Sequence, residues 1–555
     1  MSPCDHDQDS SERLAAARLT GHSATARESA DRFGSWRDGF SRERSLALTA
    51  LAIFGIRIVL AICTGWNTAD EAWMLQVICR TGHGEVLFRD VFFNAMPLPV
   101  YLGRAACFLF GYSALTLKIL CAAIDTGVFV VTHRLLRILD RPVAPWRLGM
   151  CMLLGSLPLV SSLYSGLAIL FMMLAAGVFL RWRMGPTPHR ALWAGLLTGL
   201  TAASKHNLGV YLVIAGGVSM LWASRVPWAR RLGHAALSIC VAPLVVLLVL
   251  LPTIFQRAWT NMITFAIDNK TQYIRLARVN FFSGFEQLLH LDGLPHFPDL
   301  NLYVIQLILP LALLAAAAGA GMLAGAPRRR LLPVLPFFLV LAAGVFPRAD
   351  ANHVAQAGPA IFGTLFLVTP ALPGILRKIA WIGTALAVGL LAALLLSAGE
   401  ALTSPNWTFT RLPHLRGVLL DTYRFQRLRE LTTAARRQPR PVFVLSTEAS
   451  AFYLVAGLQN PTPYDYPLAN EFPPGSQEII ADDLRAGRIQ TVIVNPGFTG
   501  PLMPQTLRQA VTDQCPLVET IQGYEIRHSP ASAPAPASAP SSTQPEASTT
   551  TRNGE

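Results

Sequence analysis

Long apolar runs recur along the chain, at about 45–64, 114–138, 147–164, 166–184, 191–205, 208–223, 233–255, 301–325, 331–347, 356–373 and 379–398. About 20 apolar residues in helical form cross one bilayer, and shorter runs are tolerable where neighbouring helices cover their ends. Hydrocarbon offers no water to satisfy backbone N–H and C=O groups, so such runs fold as helices. The expected fold class is a polytopic α-helical membrane protein with about 11 transmembrane helices. Composition agrees: 52% of the 555 residues are hydrophobic and only 14% charged, which excludes a soluble multidomain chain.

Loop charge sets the orientation. Arg37, Arg42 and Arg44 precede the first run, and Arg134, Arg137, Arg141 and Arg147 follow the second. Arg181, Arg183 and Arg190 come next, then Arg225, Arg230 and Arg231, then Arg328, Arg329 and Arg330, then Arg377 and Lys378. Every second loop is basic, and basic loops stay in the cytoplasm. The formal charge of +13 is therefore loop charge. Only Lys118, Lys205, Lys270 and Lys378 are lysines, and the arginines form no stripe with interleaved aromatics, so no nucleic-acid partner is expected. The stretch from Pro97 to Gly111 inverts every later loop if it spans, and it reads instead as a re-entrant or interfacial helix of about four turns. The N-terminus is then inside and the C-terminus outside, with the first helix an uncleaved signal anchor behind a polar segment of more than forty residues.

These readings divide the chain into a polar tail (1–44), a membrane domain (45–398) with outer loops at 65–113 and 256–300, an outer α/β domain (399–528) and a Pro/Ala/Ser-rich tail (529–555). Within the α/β domain, residues 441–446 and 491–494 read as buried strands and residues 448–457 and 476–487 as helices. The tail cannot bury a core and is expected to be disordered.

Candidate chemistry gathers on the outer side. Trp66-Asn-Thr-Ala-Asp70-Glu71-Ala-Trp73 follows the first span, and Arg89-Asp90-Val-Phe-Phe-Asn94 lies further along the same loop. The carboxylates have a structural reading, with Thr68 or Asp70 capping the next helix. Trp66, Trp73, Phe88, Phe92, Phe93 and Tyr101 make the loop strongly aromatic, so it is expected to fold back onto the bilayer surface. A carboxylate shielded there, its pKa raised by burial, can serve as a general base toward an acceptor hydroxyl or amine. Ser204-Lys205-His206-Asn207 is either a snorkelling anchor or a phosphate-binding cluster. Phe346-Pro-Arg348-Ala-Asp350-Ala-Asn352-His353 is either a turn in which Asp350 caps the next helix and pairs with Arg348, or a phosphate or sugar site built on the arginine fork and the imidazole.

Arg57 and Asp125 lie at similar depths in the first two spans and are expected to pair. His290, Asp292 and His296 have no standard metal spacing. The eight cysteines show no CxxC and read as small core hydrophobes. No phosphate-binding Gly-Lys-Ser/Thr loop, HExxH, GxSxG or dinucleotide fingerprint occurs, so nucleotide hydrolysis, Ser-triad and zincin chemistry lose their basis.

The acidic first loop, with Asp70-Glu71, Arg89-Asp90-Val-Phe-Phe-Asn-Ala-Met-Pro97-Leu and the short apolar helix ending at Gly111, resembles the first periplasmic loop of membrane-embedded GT-C-fold glycosyltransferases. These include the protein O-mannosyltransferase and aminoarabinose transferase relatives. Lys205-His-Asn-Leu-Gly209, the segment from Phe346 to His353 and the outer α/β domain are similar to bacterial members, and the resemblance covers most of residues 45–527. It implies an enzyme of the bacterial inner membrane, with a periplasmic C-terminus, that moves a sugar from a polyprenyl-phosphate donor to a cell-envelope acceptor. That acceptor is a lipid, a polysaccharide or a protein.

On the same resemblance Asp70 is the catalytic base, and Glu71 or Asp90 assists it or binds acceptor or metal. Lys205, His206, Arg348 and His353 hold the lipid phosphate, with Arg89 and Asp350 as further substrate-binding candidates. A divalent metal stays open as a cofactor, with no ligand set assigned. The chain departs from the family pattern at Tyr164-Ser165, where some relatives carry a second acid, and at Ala95-Met96-Pro97, where some carry a basic residue before the proline. Two alternatives stand beside this reading: a transporter or flippase for a lipid-linked glycan, and a membrane-anchored sensor or binding protein.

Overall fold

The computed structural model describes residue 41, residues 43–155 except 64 and 142, residues 162–265 except 224 and 225, residues 332–344, and residues 402–529 except 474 and 500–502. It also describes positions 358, 363, 364, 366, 367, 374, 378, 392, 396, 399 and 400. Helix α1 (Glu43–Cys63) leads into α2 (Asp70–Gly82), α3 (Leu98–Phe110) and α4 (Ala114–Ile138). Then come α5 (Pro145–Gly155), α6 (Leu163–Met184), α7 (Pro188–Ser204), α8 (His206–Leu221), α9 (Trp228–Phe255), α10 (Trp259–Ile263) and α11 (Leu335–Ala343). Among the described residues four helices, α1, α4, α6 and α9, are long and apolar enough to cross a membrane. The chain is a polytopic membrane protein. The apolar runs expected at 301–325, 356–373 and 379–398 lie wholly or mostly outside the described residues.

Charge ties the first helices together. Glu43 at the start of α1 pairs with Arg137 and, at 3.8 Å, with Arg134 at the far end of α4, so the two helices run antiparallel. Deeper in the same pair, Arg57 and Asp125 form the expected ion pair. Helices α6 to α9 pack closely through small residues. A Cβ built on Gly195 or Gly199 of α7 would lie 2.6 Å from the Ser238 or Ala242 carbonyl of α9, a separation that only glycine permits.

Helix α3 is 13 residues long, or about 20 Å, too short to span. Its tip leaves Phe108, Leu109 and Phe110 exposed, as an interfacial or re-entrant helix requires.

The C-terminal region begins with a short antiparallel pair, β1 (Trp407–Phe409) and β2 (Leu419–Asp421), followed by α12 (Thr422–Arg437). Then follow β3 (Val442–Leu445), α13 (Ala449–Ala456), α14 (Ser476–Arg485), β4 (Thr491–Val494), α15 (Gln505–Gln514), β5 (Leu517–Ile521) and β6 (Tyr524–His528). The sheet order is β3-β4-β6-β5, with β3 and β4 parallel and the other pairs antiparallel. Strands β3 (Val-Phe-Val-Leu) and β4 (Thr-Val-Ile-Val) are buried throughout, as near-continuous apolar runs require. Gln522 and Gly523, both at positive φ, make the two-residue turn between β5 and β6.

One apolar core joins this domain to the membrane part: Phe443, Leu445, Leu454 and Phe472 belong to the same cluster as Trp73, Phe88, Phe92 and Phe93 of the first loop. The aromatic first loop shares in that core. Its rings pack under the α/β domain, with Trp73 stacked on Tyr466 at 5.7 Å and Phe92 beside Tyr464 at 5.8 Å.

Candidate active site

The site starts from the local chemistry of Asn67. Its Oδ1 accepts the backbone N–H groups of Ala69 and Asp70, both at 2.9 Å, and so turns the chain into α2. The N-cap position itself is Ala69, which has no side-chain cap to offer, and Thr68, one of the two expected caps, donates to Glu448 instead. Asp70 and Glu71 occupy the first turn, where the helix dipole favours negative charge. Successive helical residues are rotated by about 100°, so the two carboxylates separate. Asp70 is exposed, whereas Glu71 is buried. The shielding expected of Asp70 is therefore found at its neighbour.

Glu71 is fully engaged. Both of its oxygens lie 3.0 Å from Lys118 Nζ near the start of α4, and Oε2 also accepts the Asn67 N–H at 3.2 Å. Lys118 is 4% exposed, so this is an ion pair at the end of the helix bundle rather than a solvated surface contact. The pair borders a small recess lined also by Trp66, Met74, Leu117 and Leu163.

Asp90 is turned into its own loop. Arg89 donates to both of its oxygens, at 3.0 and 2.9 Å, and the Val86 N–H donates at 2.8 Å. The Arg89 hydrogen bonds hold the Asp90 carboxyl below the usual carboxylate range, against a smaller effect of burial. A carboxylate so stabilised is a weaker base than an ordinary one.

Lys205 sits in the extended residue between α7 and α8. Its Nζ donates to Ser165 Oγ at 3.3 Å and lies 5.8 Å from the centre of the Tyr164 ring. Both partners are on the first turn of α6, and Leu163 at the head of that helix lines the recess beside Glu71. Asp70, Glu71, Lys118 and Lys205 thus occupy the same end of the bundle, with His206 opening α8. Arg348, Asp350, His353, His290, Asp292 and His296 lie outside the described residues. Among the described residues no group of three His, Cys, Asp or Glu side chains is placed to hold a metal ion.

Several groups that organise the site escaped the sequence reading. Arg80, buried on α2, donates through Nη1 to both Asp465 oxygens and to the Thr462 carbonyl at 3.0 Å. Its Nε and Nη2 reach Glu85 at 2.9 and 2.6 Å, and Nη2 also reaches the Asp90 carbonyl at 2.8 Å. Asn94 donates to both oxygens of Glu471, at 2.7 and 2.6 Å, and the Phe92 N–H donates to the Pro463 carbonyl at 2.6 Å. Thr68 donates to Glu448 Oε1 at 2.7 Å. Each of these contacts to the C-terminal domain spans more than 370 residues, a separation at which one sequence carries no pairing signal. Lys118 was within reach, since a lysine four residues into an apolar run needs an acid beside it.

No protein-family model and no curated protein matches this chain. Among solved structures, ArnT from Cupriavidus metallidurans bound to undecaprenyl phosphate aligns with a TM-score of 0.50 at 12% identity, over 87% of this chain and 97% of that one. The apo state of the same protein gives 0.48 at 12% identity, over 87% and 96%. The arabinosyltransferase EmbB from Mycobacterium smegmatis gives 0.37 at 13% identity, over 60% of this chain and 31% of that one. The first alignment carries the fold: this chain has the GT-C membrane fold that its first loop resembles.

Proposed function

We propose that the chain is a membrane glycosyltransferase that moves a sugar from a polyprenyl-phosphate donor, of the undecaprenyl type, to a cell-envelope acceptor on the periplasmic face. The observation that carries this reading is the disposition of the first-loop acids. Asp70 is exposed at the end of a bundle with the fold of a structure that holds undecaprenyl phosphate, whereas Glu71 beside it is buried. Of the three acids proposed from sequence, Asp70 is the one suited to meet an acceptor.

In the proposed reaction the Asp70 carboxylate takes the proton from an acceptor hydroxyl or amine. The freed lone pair attacks the anomeric carbon, the bond from that carbon to the phosphate oxygen breaks, and the polyprenyl phosphate leaves with the bonding pair. A single displacement inverts the anomeric centre. Lys205 and His206, with Arg348 and His353, are proposed to offset the charge that gathers on the phosphate as it departs.

Transport of a lipid-linked glycan finds less support. Arg57 and Asp125 pair with each other and Lys118 pairs with Glu71, so these buried charges have a structural account.

The test is Asp70→Asn. The variant is expected to reach the membrane folded, because Asp70 is exposed, and to make no product when envelope lipids and glycans are compared by mass spectrometry. Wild-type product from Asp70→Asn would sink the assignment.

A further inference from the structure

We propose that Glu448 of the C-terminal domain is a positioning residue for Asp70, so that this domain is a working part of the catalytic apparatus and not only its cover. The inference rests on the reading of Asp70 as the base. Thr68, two residues before Asp70, donates to Glu448 Oε1 at 2.7 Å. The other Glu448 oxygen accepts from the Tyr524 hydroxyl at 2.5 Å and from Arg427 Nη2 at 3.1 Å. Arg427 also lies 5.3 Å from the centre of the Tyr524 ring, and Ser446 Oγ accepts the Glu448 N–H at 3.1 Å. Glu448 is therefore held from three elements, α12, β6 and the turn after β3, before it meets Thr68. Burial, together with the Glu448 charge beside it, pushes the Tyr524 phenol well up and keeps it a donor.

The segment around Asp70 is thus tied on two sides. Ahead of it, Thr68 is fastened to the C-terminal domain; behind it, Glu71 is fastened to Lys118 of α4. Between these anchors Asn67 holds the Ala69 and Asp70 amides. A general base works only within hydrogen-bond reach of the proton it takes, and a misplacement of about 1 Å costs up to ~100-fold in rate. Glu71 ties this turn to α4 and to its own Asn67 N–H, and the Glu448 contact adds the anchor that fixes it to the C-terminal domain.

The experiment uses the full chain in lipid nanodiscs and the same variants expressed in cells. Thr68→Val keeps the shape and removes the donor, whereas Thr68→Ser keeps the donor. Hydrogen exchange read by mass spectrometry over residues 65–73 is expected to quicken in Thr68→Val and stay at the wild-type rate in Thr68→Ser, with β3 and β4 unchanged in both. Envelope product is expected to fall about 10-fold or more in Thr68→Val at equal membrane abundance, and to persist in Thr68→Ser. Wild-type exchange or wild-type product in Thr68→Val overturns the proposal. Asp70→Asn, run alongside, separates the two ideas: product from that variant ends the base assignment, while the exchange data still judge the Thr68 anchor.

Discussion

Glu71 and Lys118 show how two residues with opposite formal charge become a structural unit once neither can reach water. Their side chains are 9% and 4% exposed, so each depends on the other for the solvation it has lost. Removing one partner leaves an uncompensated charge, which costs about 3–5 kcal/mol in buried pairs, whereas replacing both with apolar groups of similar volume is often close to neutral. Lys118→Met is accordingly expected to lower stability by about that amount, and adding Glu71→Leu to recover at least half of the loss. Thermal unfolding of the purified variants in one detergent checks this. A double variant no more stable than Lys118→Met would show that Glu71 is worth more to the fold than its partner. The same logic separates Glu71 from Asp70, because a carboxylate spent on holding α2 to α4 is not available to an acceptor.

At the scale of helices, the contact between α7 and α9 depends on what is missing from two residues. Gly195 and Gly199 are one turn apart on α7, and each lets an α9 carbonyl approach where a side chain would stand. A methyl at Gly199 would meet Val245 Cβ as well as the Ala242 carbonyl, both at 2.6 Å, and neither can rotate away. Overpacking of this kind costs about 1–3 kcal/mol. Gly199→Ala is therefore expected to lower the melting temperature. Gly217→Ala on α8, where an added Cβ meets nothing within 4 Å, is expected to leave it unchanged or raise it slightly. Equal melting temperatures for the two variants would mean that α7 and α9 are not held at this seam. Small residues at this spacing act in membranes because lipid supplies no hydrophobic drive between helices and close packing takes its place.

At the scale of the whole molecule, what could be read from the chain was what a one-dimensional pattern can carry. Apolar length marked α1, α4, α6 and α9, short β-prone runs marked β3 and β4, and depth arithmetic paired Arg57 with Asp125. The joining of the first loop to the C-terminal domain was not legible, because Arg80–Asp465, Asn94–Glu471 and Thr68–Glu448 link positions that only the fold brings together.

Which side of the membrane each end faces is a global property carried by charge. Arg134 and Arg137 at the end of α4, Arg181 and Arg183 at the end of α6, and Arg230 and Arg231 at the start of α9 mark the basic ends of their helices. The opposite ends of α4 and α6 carry Lys118 beside Glu71 and Ser165 beside Lys205. Basic ends face the cytoplasm, so the C-terminal domain should face the periplasm. Every described cysteine except Cys240 is buried, so a background with Cys4 and Cys240 replaced by alanine reports cleanly on an introduced thiol. Glu519→Cys on the exposed strand β5 is expected to react with a membrane-impermeant maleimide in cells with a permeabilised outer membrane. Met184→Cys, 66% exposed at the basic end of α6, is expected to react only after lysis. The reverse pattern would put Asp70 on the cytoplasmic side and overturn the periplasmic placement of the proposed transfer.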